Sequence, residues 1–176
     1  MSENEKGLNS PEQIKKRIEN NLILQVMQEL QSHKGHHRLQ IFIAHGYLEL
    51  LMNELIKAKT KNYKKIISDN RSYPYSTKIL ILNELGALSD EDYRVYDWFR
   101  KIRNKAAHDP LFKLKKEYFQ NIRPRDYQEI EKFESICVDL MLRLWNANME
   151  ILGPAFASTL VNLNSSEKEN DTQQNI

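Results

Sequence analysis

Arg103, Asn104 and His108 fall within six residues, and no other stretch sets so many chemically capable groups beside so much aromatic surface. A histidine that holds and releases a proton near neutral pH is what acid–base chemistry needs. A neighbouring arginine offers fixed positive charge to a phosphate. Asparagine can orient the ring or the substrate. Lys101 and Lys105 flank these groups, and Lys113, Lys115 and Lys116 follow them, with Arg123 and Arg125 further on. Interleaved with the second set stand Phe112, Tyr118, Phe119 and Tyr127, a pattern that can hold an RNA backbone and stack its bases. It equally fits solvated faces with the aromatics turned inward. A further basic run extends from Lys57 to Lys65.

The element that must position the three groups is a helix opened by Ser89 and closed before Pro110. Ser89 is a good cap, and Asp90, Glu91 and Asp92 lie favourably against the positive end of the dipole. Pro110 biases Asp109 away from helical geometry, so the helix should end near His108. At 100° per residue, Val95, Trp98, Phe99, Ile102 and Ala106 share one apolar arc. Asp97, Arg100, Lys101, Asn104 and His108 cluster opposite, and Arg103 stands at the margin beside Phe99 and Tyr96. Five residues apart, Arg103 and His108 point about 140° from one another on an ideal helix. One copy of the helix is therefore a poor catalytic site, and a second copy is expected to complete it. Ala106 and Ala107 allow such a close approach.

The remaining periodicity predicts an all-α fold, an antiparallel helical bundle of four to five main helices. Residues 1–9 read as a flexible N-terminus, 10–161 as a single domain, and 162–176 as a disordered polar tail. A helix starts at Ser10, with Pro11 and Gln13 completing its start signal, and reaches about Gln31. Ser32 to Arg38 breaks it. A second helix over His37–Lys59 carries more than one apolar face and should be central. Gly46 in its interior costs about 1 kcal/mol against alanine, which a close helix crossing would offset. A short helical piece is expected near Ile66, then a helix from Thr77 to Leu85, apolar nearly all round and hence buried, with Gly86 as a left-handed cap. Residues 111–122 read as a short helix or ordered loop. A last long helix runs from Arg123-Pro124 to about Ile151, with Gly153-Pro154 as its interruption.

A chain of 176 residues with formal net charge +2 and pI near 8.5 is too mildly basic to announce a nucleic-acid binder by charge alone. Its one cysteine, Cys137, reads as a small buried hydrophobe. No signal peptide and no apolar run of about 18 residues is present, so a soluble cytoplasmic protein without membrane contact is expected. His33, His36, His37 and His45 invite a metal, but no cysteine or compact carboxylate set completes a site, so structural or exposed roles and no metal are expected. Phosphate-loop and dinucleotide fingerprints are lacking, and no cofactor is implied.

The run Arg103-Asn104-Lys105-Ala106-Ala107-His108 resembles the RNxxxH motif of the HEPN superfamily. The preceding Ser76–Ser89 stretch, with its helix, glycine turn and acidic helix start, is similar to the mannitol repressor (MltR-like) branch. The resemblance implies metal-independent RNA cleavage with Arg103, Asn104 and His108 as catalytic residues. It also implies a homodimer in which two motifs line one cleft, and a role as toxin or stress or phage-defence effector, with an antitoxin as possible partner. Toxins modified by a nucleotidyltransferase antitoxin often carry tyrosine two positions after the histidine; Pro110 stands there and excludes that modification. The MltR-like branch implies the alternative, a non-catalytic regulatory or interaction protein that uses the same helix as a dimer or partner surface. No helix-turn-helix of its own accompanies it.

Overall fold

The computed structural model describes residues 22–23, 25–120, 122–123 and 125–156. Helix α1 covers residues 25–32, so most of the helix expected from Ser10 lies outside the described residues, as do the N-terminus 1–9 and the tail 162–176. Then come α2 (His37–Lys59), α3 (Tyr63–Ser68), α4 (Tyr75–Glu84) and α5 (Asp90–His108). After three short 3-10 turns, α6 (Phe133–Ala147) and α7 (149–156) follow. The described residues contain no strand, and no helix among them is long and apolar enough to cross a membrane.

α2 is the centre of the bundle and touches α3, α4, α5 and α6. Its Leu48, Leu51, Met52 and Leu55 are fully buried against Phe99 and Ile102 of α5 and Leu140, Met141 and Leu144 of α6 in one core. Cys137 is buried in that core, and burial pushes its thiol pKa upward, which keeps it protonated and inert. Not every apolar residue of α2 is covered: Leu39 is 45% exposed, Phe42 36% and Leu50 42%. Gly46 differs from expectation. It is exposed, and a Cβ built there would meet nothing within 4 Å, so no close helix crossing in this chain explains it.

α4 also departs from the all-round buried helix that its composition suggests. It starts at Tyr75, buries Lys78, Ile79 and Leu82, and leaves Leu80 at 44% and Leu85 at 41% exposed. Lys78 is 1% exposed and lies where an unpaired ammonium would be costly. Glu49 of α2 (3.3 Å) and Asn70 (3.1 Å) accept its hydrogen bonds. The expected cap is present: Gly86 adopts φ +67°, its amide donates to Asn83 O, and the Ala87 amide donates to Leu82 O. This pair of bonds turns the chain sharply into α5.

α5 begins and ends as the sequence predicts. Ser89 Oγ accepts from the Asp92 amide at 3.1 Å, and Asp109 takes an extended conformation just before Pro110. Val95, Tyr96, Phe99, Ile102 and Ala106 are buried, while Trp98 is half-buried and donates its indole N–H to Tyr118 O at 2.6 Å.

The last helix is the largest correction. Residues 125–132 form 3-10 turns, and α6 starts only at Phe133, where the apolar stripe meets α2. Its end is set by Asn148 rather than by Gly153-Pro154. The Asn148 side chain donates to Ala87 O (3.1 Å) and Leu144 O (3.2 Å), tying the break to the α4–α5 turn. α7 runs through Gly153 and Pro154. A proline's fixed φ suits a helix, and Pro154 faces solvent, where the missing N–H is least damaging.

Candidate functional site

Packing of α5 against α2 and α4 leaves an open cleft of about 310 Å³ between them. From α5 it is lined by Arg100, Arg103 and Asn104, from α2 by His45 and Glu49, and from the α4 side by Asn70, Pro74, Tyr75 and Ser76. Each helix contributes through simple spacing. His45 and Glu49 are four apart on α2, and Arg100 and Arg103 are three apart on α5, so each pair shares a face.

The cations of this cleft differ in how they are compensated. Asp97 accepts from Arg100 Nε at 2.8 Å and pairs with Lys101 at 2.7 Å. Burial opposes ionisation of Asp97, but the hydrogen bonds from Lys101 and Arg100 outweigh it and hold the carboxyl below the ordinary aspartate range. Lys78 is paired with Glu49, as described. Among the described residues Arg103 has no carboxylate partner. Its Nη1 donates to Asn104 Oδ1 at 3.3 Å, and its guanidinium lies 6.0 Å from the centre of the Phe42 ring. The aromatic that carries Arg103 thus belongs to α2, not to its own helix as the periodicity suggests. Its Nε is buried with no hydrogen-bond partner among the described residues.

His45 is 5% exposed, and its ring packs on Tyr75 with centroids 4.4 Å apart. Burial, with the nearby Arg103 charge second, pushes its pKa down to about 4, against an opposing pull from Glu49. The imidazole is therefore neutral at physiological pH, with one nitrogen able to accept a proton. The Tyr75 hydroxyl is buried without a partner among the described residues, and burial followed by the Glu49 charge raises its pKa above the ordinary value.

The structure brings Arg103 and Asn104 together on the cleft and leaves His108 exposed outside its lining. Just beyond His108, the Asp109 carbonyl accepts a hydrogen bond from Arg38, whose guanidinium lies 5.9 Å from the Phe112 ring centre. The lysines proposed for RNA are mostly occupied. Lys101 pairs with Asp97, Lys115 with Glu117 (3.7 Å) and Lys116 with Glu131 (3.6 Å), while Lys105 sits 5.1 Å from the Tyr118 ring centre. Lys113 is exposed and makes no ion pair among the described residues; it edges a groove with His36, His37 and Arg38. Phe119 and Tyr127 are buried, which removes them as stacking platforms, and Phe112 stacks on Tyr118. The side chain of Arg125 lies outside the described residues.

His45, Glu49, Tyr75 and Arg100 were not singled out by the sequence as partners of the motif. His45 reads there as structural or exposed, and only its spacing to Glu49 could have hinted otherwise. Among the described residues, no group of three histidine, cysteine or carboxylate side chains is placed to share a metal ion. Compared with family models, curated proteins and solved structures, the chain matches none.

Proposed function

We propose that this chain is a HEPN-like, metal-independent endoribonuclease of the cytoplasm, acting as a homodimer in a toxin, stress or phage-defence role. The observation that carries the reading is Arg103: a half-buried arginine with, among the described residues, no hydrogen-bond partner at Nε and no carboxylate beside it. An arrangement that leaves a buried donor unpaired costs stability, and such strain is retained where a ligand relieves it. In the reaction the ribose 2′-oxygen attacks the adjacent phosphorus and the bond to the 5′-oxygen breaks, giving a cyclic phosphate and a free 5′-hydroxyl. His108 moves the protons, Arg103 neutralises the phosphorane, and Asn104 holds the guanidinium through its Oδ1.

The exposed Leu39, Phe42 and Leu111 support the dimer. Phe42 lies under Arg103, and Leu111, 85% exposed, stands three residues after His108; on this reading a second copy covers them and sets its own His108 beside the first copy's cleft. The same patch also favours the second reading, a non-catalytic MltR-like regulator whose partner docks there. Labelled single-stranded RNA incubated with the protein in EDTA separates the two. Cleavage by the wild type that His108→Ala and Arg103→Ala lose supports the nuclease; no cleavage, or cleavage that both variants retain, overturns it. Light scattering at micromolar concentration should give a dimer mass, and a monomer mass removes the shared cleft.

A further inference from the structure

Around the cleft, the first turn of α4 adds donors that the motif does not include. The Thr77 and Lys78 amides both donate to Pro74 O, at 2.8 and 3.1 Å. The amides of Tyr75 and Ser76, the two residues before them, find no acceptor among the described residues, and both residues line the cleft. No side chain caps this helix and no acidic residue occupies its first turn, and the carboxylate that lines the cleft, Glu49 of α2, is paired with Lys78. Lining the same cleft are Arg103, whose Nε is buried with no hydrogen-bond partner among the described residues, and the buried His45, whose ring packs on Tyr75 and makes no hydrogen bond to the described residues. The other two cations are already neutralised, Arg100 by Asp97 and Lys78 by Glu49.

We propose that this cleft is a phosphoryl-binding site in which the α4 N-terminus and the Arg103 fork grip the oxygens and His45 adds a third contact. It rests on the reading of Arg103 as a phosphate ligand, and it places two partners, His45 and the α4 amides, in that site. Three donor sets from three helices suit a tetrahedral oxyanion. A carboxylate has two oxygens, which the arginine fork alone would satisfy, leaving the amides unused. A cavity of about 310 Å³ lies at the small end of ligand pockets, roughly 300–1,000 Å³, and fits a phosphoryl group with its sugar.

Protonation of His45 should respond to the ligand. The charged and titratable groups that line the cleft with it are Glu49 on α2, Tyr75 on α4, and Arg100 and Arg103 on α5, with Lys78 of α4 bonded to Glu49. A bound dianion opposes the Arg103 field that keeps the imidazole neutral, so binding should raise the His45 pKa by roughly one unit or more. Affinity should accordingly strengthen as pH falls towards 5, once the phosphate's own titration is accounted for.

The test is titration of the full chain with inorganic phosphate and with adenosine 5′-monophosphate, followed by nitrogen–proton NMR of backbone amides and the arginine Nε–H groups. Saturable shifts at Arg103 Nε–H and at the Tyr75 and Ser76 amides are expected, with chloride at equal ionic strength giving none. Arg103→Met should weaken binding at least tenfold, and His45→Ala several-fold with loss of the pH dependence, both with wild-type spectral dispersion. Tighter binding of the nucleotide assigns a nucleotide ligand, and equal affinities assign phosphate itself; either supports the site. Shifts that chloride reproduces, shifts centred on Lys113 to Lys116, or Arg103→Met binding as tightly as wild type overturn it. RNA cleavage without these shifts leaves the nuclease standing and removes the phosphoryl cleft. Phosphate binding without cleavage does the reverse.

Discussion

At the N-terminal end of α5, Ser89 accepts from the Asp92 amide, Arg143 of α6 binds Asp92 and, at 3.1 Å, Glu91, and Asn83 donates to Asp90 at 3.1 Å. At the C-terminal end, Arg103 keeps an orphaned Nε over Phe42, and His108 stands exposed beyond the cleft. The two ends share one helix and one core, yet one has its charges matched and the other does not. The matched end holds α5 against α4 and α6. The unmatched end gives up that stabilisation, as binding and catalytic sites commonly do.

The sharpest way to break this contrast is Arg103→Met, which keeps the packed stem and removes the orphaned donor. On the proposed nuclease reading, RNA cleavage should fall by at least about 100-fold, the scale of losing one transition-state donor, while the melting temperature holds or rises. A fall in both would make Arg103 a structural residue like Arg143.

Acidification probes the same end. The folded-state pKa of His45 lies near 4, below its unfolded value of 6.5, so the unfolded chain binds more protons between those limits. Stability should decline as pH falls through that window, by on the order of 3 kcal/mol at ~1.4 kcal/mol per unit. Denaturant unfolding of wild type and His45→Gln from pH 7 to pH 4 checks this; equal slopes for both proteins would show that His45 is not the group responsible.

Arg143→Ala attacks the matched end. It should cost about 1–2 kcal/mol in urea unfolding, discounted for partial exposure, and leave the cleavage rate per folded molecule unchanged. Ser89→Ala should cost about 1 kcal/mol by loss of the cap. Smallest is Gly46→Ala, expected to stabilise the monomer by up to about 1 kcal/mol, because the site is helical, exposed and open. If that gain appears at low concentration but weakens association, a second copy approaches α2 at Gly46.

The sequence by itself determined α5, since its signals are local: the Ser89 cap, the acidic first turn, the apolar arc and Pro110 all act within a few residues. The same holds for the Gly86 turn and for the bounds of α2. The late start of α6 was not legible, because residues 125–132 keep helical spacing while their backbone forms 3-10 turns. Nor was the break at Asn148, which depends on a hydrogen bond to Ala87, 61 residues away. The site divides the same way. Arg103, Asn104 and His108 were readable as a cluster of chemical types, but their surroundings were not. Helix packing alone decided that Arg103 lies over Phe42 of α2 and that His45 of α2 and Tyr75 and Ser76 of α4 line the same cleft. It likewise left His108 outside. Spacing along one helix fixes which residues share a face; what stands opposite that face is set by the burial of the other side of the helix.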